Sequence, residues 1–260
     1  MNTNNYTLGR GKVHFGRFRD GTRLPDGLRY IGNTPELNLT IETEELDHFS
    51  SDYGIREKDD SVSLEVNRTG SLITDNIDPE NVALFFFGER QSLVQAASAS
   101  ESDTFEAAIP GLSYQLGVSE TNLTGYSGVE NVTVTADPDG AATVLTVDVD
   151  YKLHANLGMI EMLSSANWNS GDDIGVAYDV RSSTRDRVIS GSAAVEGYML
   201  YEAKNPKGKQ FNYRMPHIRV SPNGDFALKG DEWQQLPLSI EILKPTTGDA
   251  IYMDGEPVFA

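Results

Sequence analysis

Apolar and polar residues alternate with a period of two through much of the chain. Between residues 36 and 46, Leu37, Leu39 and Ile41 fall on one side, while Glu36, Asn38, Thr40, Glu42 and Glu44 fall on the other, the pattern of a half-buried strand. Residues 61–67 repeat it, with Val62, Leu64 and Val66 set against Ser61, Ser63, Glu65 and Asn67. The two segments read as an antiparallel pair with one face in the core and one in water. Further strand-like runs cover residues 12–18, 113–119, 131–136, 143–153, 175–180, 193–203, 213–220 and 236–243. Proline and glycine punctuate them at Asp137-Pro138-Asp139-Gly140, Asn205-Pro206-Lys207-Gly208 and Ser221-Pro222-Asn223-Gly224, where proline presets one turn dihedral and glycine takes the positive one.

One segment reads as a helix. Asp78 supplies a capping carboxylate, Pro79 occupies the first helical position and Glu80 places acid in the first turn, which predicts a short helix over residues 79–88 packed against the sheets. Residues 157–163 have helical composition but follow a strand through a glycine turn, and are read as the arm of a hairpin. Residues 91–110 are small, polar and acidic, and predict a flexible excursion. The fold class expected is all-β, a sandwich or partial barrel with one short flanking α-helix. At 260 residues the chain is as consistent with one elaborated all-β domain as with two.

Charge narrows the partners. Thirty-nine acidic against 21 basic residues leave a formal charge of −18, a field that phosphate backbones avoid. There is no cysteine, so disulfides, thiolate metal sites and thiol nucleophiles are excluded. The longest apolar run, residues 82–87, is far shorter than the ~20 residues of a membrane helix, and the polar start lacks a signal core. Folding in a cytoplasm is expected.

Candidate chemistry is sparse. His14, His48, His154 and His217 are scattered without metal-ligand spacing. Asp148 and Asp150, like Glu42 and Glu44, stand two apart on expected strands; such pairs serve acid/base work or cation binding only beside a nucleophile or oxygen cage, so a solvated strand face is the stronger reading. Phosphate-binding glycine loops are missing. No catalytic, cofactor or metal residue is assigned, and no enzyme is expected.

Longer motifs carry a resemblance. Residues 29–86 hold Gly32-Asn33-Thr34-Pro35, a strand with outward acids, Asp47-His48-Phe49-Ser50-Ser51 in a long loop, and a returning strand over 61–69. In this order they resemble the N-terminal half of the tail tube (major tail) proteins of long-tailed, siphovirus-type bacteriophages. Residues 193–243, with the Asn205-Pro206 turn, a strand between Pro216 and Pro222, and Trp233 before the closing strand, are similar to that family's C-terminal half. Residues 91–184 resemble it only loosely, and an inserted or elaborated region is expected there, over 120–190 above all.

The resemblance implies a structural subunit whose six copies form rings, stacked around a tape-measure protein and closed by tail terminator and distal tail proteins. It implies a virion tail assembled in the bacterial host cytoplasm, and a conduit that DNA crosses without tight binding. On that reading Asn38, Thr40, Glu42, Glu44, Ser63, Glu65 and Asn67, joined by Glu196, Glu202 and Glu241, line an acidic lumen that repels DNA; the same positions also fit an ordinary solvent face. The 47–60 loop mixes Asp47, Arg56 and Lys58 with the apolar Phe49, Tyr53 and Ile55, and is expected to dock on a neighbouring subunit or ring. Residues 1–11 are expected to form an arm. A receptor- or carbohydrate-binding sandwich of the virion tail and a β-scaffold hydrolase are the other classes in view.

Overall fold

In the computed structural model, which describes residues 5–52 and 54–258, the alternating segments become strands of open sheets. Along the chain come β1 (Gly11–Arg17), β2 (Arg29–Tyr30), β3 (Glu36–Ser50), β4 (Glu57–Thr74), the helix α1 (Pro79–Phe85), β5 (Glu89–Gln95) and β6 (Ser98–Phe105). There follow β7 (Ser113–Gln115), β8 (Val129–Ala136), β9 (Thr143–Val144), β10 (Tyr151–His154), β11 (Met159–Met162) and β12 (Ile174–Val180). The last are β13 (Ser183–Ile189), β14 (Val195–Ala203), β15 (Phe211–Pro222), β16 (Leu236–Ile242) and β17 (Tyr252–Gly255). The fold is all-β, and among the described residues there is one short helix and no barrel closes within the single chain.

The chain divides into two compact units, Met1–Gln91 with Arg187–Ala260, and Ser92–Asp186. The buried apolar side chains gather into two separate clusters, one in each unit.

In the first unit the strand order is β2-β1-β14-β15-β16-β4-β3, with β17 also paired to β15. Val13, Phe15, Met199, Met215, Ile218, Val220, Leu238 and Ile240 line the buried face, and Leu84 of α1 joins them. Each such side chain contributes about 1.5–3 kcal/mol on burial. The helix is fixed at its start: Asp78 accepts from the Asn81 backbone N–H at 2.9 Å, and the fully buried Asn81 amide donates to Ile31 O at 2.7 Å and Asn76 O at 2.8 Å. Arg29 ties both residues together, donating to Asp78 at 3.2 Å and to Asn81 at 2.6 Å. The helix ends at Phe85 and not at residue 88, because Phe87 turns to φ 53°.

Pro216 lies within the long central strand β15. Gly197 pairs with Ile218 and Met199 with Met215, so β15 carries one extra residue there. Such a bulge is where a central strand accommodates a residue that has no N–H to give.

In the second unit a four-stranded sheet, β6-β12-β8-β9, and a three-stranded sheet, β10-β11-β7, share one core of Val134, Val176, Tyr178, Ile160, Met162, Trp168 and neighbours. The hairpin arm expected at 157–163 is present as β10–β11, turning at Gly158 with φ 66°, where a Cβ would meet Tyr126 O at 2.1 Å. Two expectations are corrected here. Residues 91–110 are no flexible excursion but contain most of β5 and all of β6, whose small polar side chains pair along the apolar β12. The strand expected at 143–153 is broken by a turn in which Asp148 adopts φ 63° and Asp150 is fully buried.

Candidate functional site

Two features of the first unit concentrate what the core does not use: the outer face of the large sheet and the β3–β4 hairpin that extends beyond it. Their geometry follows from register. Thr40 pairs with Thr69, Thr69 with Glu241, Glu241 with Arg219 and Arg219 with Glu196, so one row crosses five strands on a single face. The adjacent row runs Asn38, Ser71, Ser239, Ser221. By the period of two, Glu42, Glu44, Asn67 and Glu65 continue the same face along the hairpin. Asn38, Thr40, Glu42, Glu44, Glu65, Asn67 and Glu241 are exposed, and Glu196 is partly so.

Arg219 also stands on this face and was not among the residues singled out in the sequence. Its guanidinium donates to Glu196 at 3.1 Å and to Glu241 at 3.0 Å. His217 Nε2 lies 2.9 Å from the other Glu196 oxygen. The hydrogen bonds with His217 and then Arg219 hold the Glu196 carboxyl below its ordinary range. Glu202 shares the face of Glu196 by alternation, but among cations: Lys12 is its cross-strand partner, His14 lies at 3.5 Å and Lys204 at 2.7 Å. The signal for Arg219 was available, since 213–220 alternates and the outward positions beside Val220 and Ile218 include it.

Ser63 leaves the face that holds Glu44. Glu44 pairs with Glu65 but Glu45 with Ser63, so Leu64 is an extra residue on β4. Past this bulge the cross-strand pair Leu46–Val62 falls on the opposite side of the hairpin from Thr43–Val66, since β3 itself keeps its alternation.

The inward face is also shorter than expected. Leu37 packs on the core, but Leu39, Ile41, Val62, Leu64 and Val66 are exposed, Ile41 at 60%. The pairing of β16 with β4 stops at Glu241–Thr69, so the hairpin beyond is covered on neither side. At ~3.3 Å per residue its outer part, from Leu39 to Ser50, is about 35–40 Å long.

The 47–60 segment expected as a loop is mostly strand, because β3 and β4 pair out to Ser50–Glu57 and leave only residues 51–56 as the connection. Lys58 bonds Asp47 at 2.6 Å, His48 contacts Asp59 at 2.5 Å, and Arg56 lies 5.2 Å over the Phe49 ring. Phe49 and Ile55 stay exposed, at 40% and 78%. Tyr53 and residues 1–4 of the expected arm lie outside the described residues.

The solvated strand face expected for Asp148 and Asp150 is corrected: they lie in a turn, and Asp150 is fully buried. Asp150 accepts from the Thr146 N–H at 2.7 Å and from Asn167 at 3.0 Å. Burial opposes its ionisation, but hydrogen bonds from Ser165, Thr146 and Asn167 together outweigh it and keep the carboxyl below the ordinary value. Among the described residues no three His, Asp or Glu side chains gather as a metal site, and no helix is long and apolar enough to cross a membrane.

The model of one protein family matches residues 6–251, a range that takes in both units. The chain belongs to the family described as protein of unknown function UCP028589. The family description carries no activity, so the uncovered hairpin and polar sheet face of this member are the grounds for a functional reading. No curated protein matches the chain.

Proposed function

We propose that the chain is a structural subunit of a bacteriophage tail tube, assembling with copies of itself into hexameric rings that stack around a tape-measure protein and leave a conduit for DNA. The observation that carries this reading is the β3–β4 hairpin: β3 ends the strand order of an open sheet, and its outer part leaves Leu39, Ile41, Leu46, Val62 and Val66 uncovered. A long unpaired edge with apolar side chains is an aggregation hazard in a free monomer and becomes useful when other subunits cover it. Joining such edges between copies closes the sheets into one barrel and removes the hazard.

The polar face also supports it. The Thr40-to-Glu196 row and the serine row beside it present hydroxyls and carboxylates, with the one arginine of the row neutralised by two glutamates. Facing a lumen, these rows offer phosphate no uncompensated cation. Tail terminator and distal tail proteins at the tube ends, a virion location, and assembly in the host cytoplasm belong to the same proposal.

Negative-stain electron microscopy of the purified chain tests it. Rings or tubes of uniform bore are expected, and a strict monomer at millimolar concentration would overturn the reading.

A further inference from the structure

We propose that the groove beside the root of β3 in the first unit is the seat for the hairpin tip of a second copy of this chain; this rests on the tube-subunit reading and names the acceptor that it leaves open. The groove has a volume of about 840 Å³, with Leu37, Tyr201, Tyr213 and Met215 among its apolar lining and Arg10 and Lys209 as its cations. Leu37, Tyr201 and Tyr213 are only partly buried, with the two tyrosine rings 6.0 Å apart. The core is therefore left open here to something of apolar shape.

Charge says what that something is. In a chain of net charge −18, Arg10 and Lys209 enter none of the ion pairs among the described residues. Glu36 is the single carboxylate in the lining, and its Oε1 already accepts from Asn38 at 2.6 Å. The hairpin tip is the complement. Its two cations are used internally, Lys58 on Asp47 and Arg56 on Phe49, which leaves Asp52, Glu57 and Asp60 outside any ion pair among the described residues, around the exposed Phe49 and Ile55. An apolar knob ringed by acid matches an apolar groove with a basic rim.

Geometry excludes the chain's own groove as the target. Leu39 at the hairpin root lines the groove, and the tip stands about 35–40 Å farther along a continuous pair of strands. A tip therefore meets the groove of another copy. Knob and groove are different patches, so one-way docking is head-to-tail and propagates into a ring or a filament, the mode the tube reading requires, whereas reciprocal docking of two copies closes a two-fold dimer.

Photo-crosslinking tests this with the full chain. Benzoylphenylalanine replaces the exposed Lys209, the protein is irradiated at assembling concentration, and adducts are mapped by mass spectrometry. Adducts to residues 46–58 of another copy are expected. Since the chain has no cysteine of its own, a mixture of I55C and K209C chains gives an independent measurement, an intermolecular disulfide, that does not depend on the bulky probe. R10E with K209E should cut the I55C yield at a remaining rim cysteine, N205C, at least tenfold, and D52K with E57K on the partner should restore it. Polymers whose adducts fall elsewhere, the chain's own first residues included, overturn the groove and leave the tube reading standing. Hairpin adducts in small closed oligomers that never form tubes keep the groove and overturn the tube. Neither polymer nor adduct overturns both.

Discussion

Glu44 and Glu65 stand directly opposite each other on the β3–β4 hairpin, and neither enters an ion pair among the described residues. Like charges in direct register destabilise a ladder by roughly 0.2–1 kcal/mol. E65K converts this repulsion to attraction, so the outer rungs should gain that amount, read as slower amide hydrogen exchange from residue 41 outward. Unchanged exchange would mean that the two carboxylates diverge in solution.

Ile41 and Val66 are exposed in the single chain. I41D and V66D should therefore alter the melting free energy by less than about 0.5 kcal/mol. Assembly should suffer out of proportion, with loss of sedimenting polymer. A large drop in monomer stability would show that the hairpin folds back onto its own unit.

Asp150 is a buried carboxylate held ionised by its donors. In D150N an amide N–H₂ replaces an acceptor facing donors, which should cost about 1–3 kcal/mol in the second unit by calorimetry at neutral pH. Because the folded pKa is depressed, the contribution of this group is present above the unfolded value near ~3.9 and lost as pH falls through the lower folded value. The mutant should lack that acid-linked loss.

Asn81 joins the helix start to the segments at Ile31 and Asn76. N81L keeps the branched shape but adds volume, removes one of the bonds to Ile31 O and strands the Asn76 carbonyl and one Arg29 donor, so about 2–3 kcal/mol should be lost from the first unit. Circular dichroism melting of N81L beside N81D separates lost bonding from altered charge.

Residues 92–186 hold their own apolar cluster, including Trp168 at 4% exposure. Expressed as a fragment they should unfold in one cooperative transition, followed by Trp168 fluorescence. A fragment without a transition would tie this core to the rest of the chain.

How much of this was legible in the sequence depended on whether a local rule governed the residue. The alternation at 36–46 and 61–67 located the hairpin, and Asp78-Pro79 located the helix, because strand period and capping act over a few residues. The bulge at Leu64 left no mark, since neither glycine nor proline sits there and an extra residue in a register is a property of two strands together. It is why Ser63 was placed with Glu44. Residues 98–105 hid their strand because serine, alanine and glutamate have low strand preference, and the ladder comes from the neighbouring β12. Leu39 and Ile41 read as core because alternation gives a face its polarity but not the extent of what covers it. Arg219 went unnoticed because its partners Glu196 and Glu241 lie 23 and 22 positions away.

The bare hairpin also has a temporal consequence. A two-stranded ribbon with neither face packed is marginal in water, so its outermost rungs open readily while the chain is alone. On the proposed tube reading, the first encounter between copies bears the entropy of ordering those rungs, whereas later arrivals meet a ribbon already held. Growth should then begin after a lag that pre-formed seeds abolish, because the strands proposed to join copies are themselves unsupported until concentration is high.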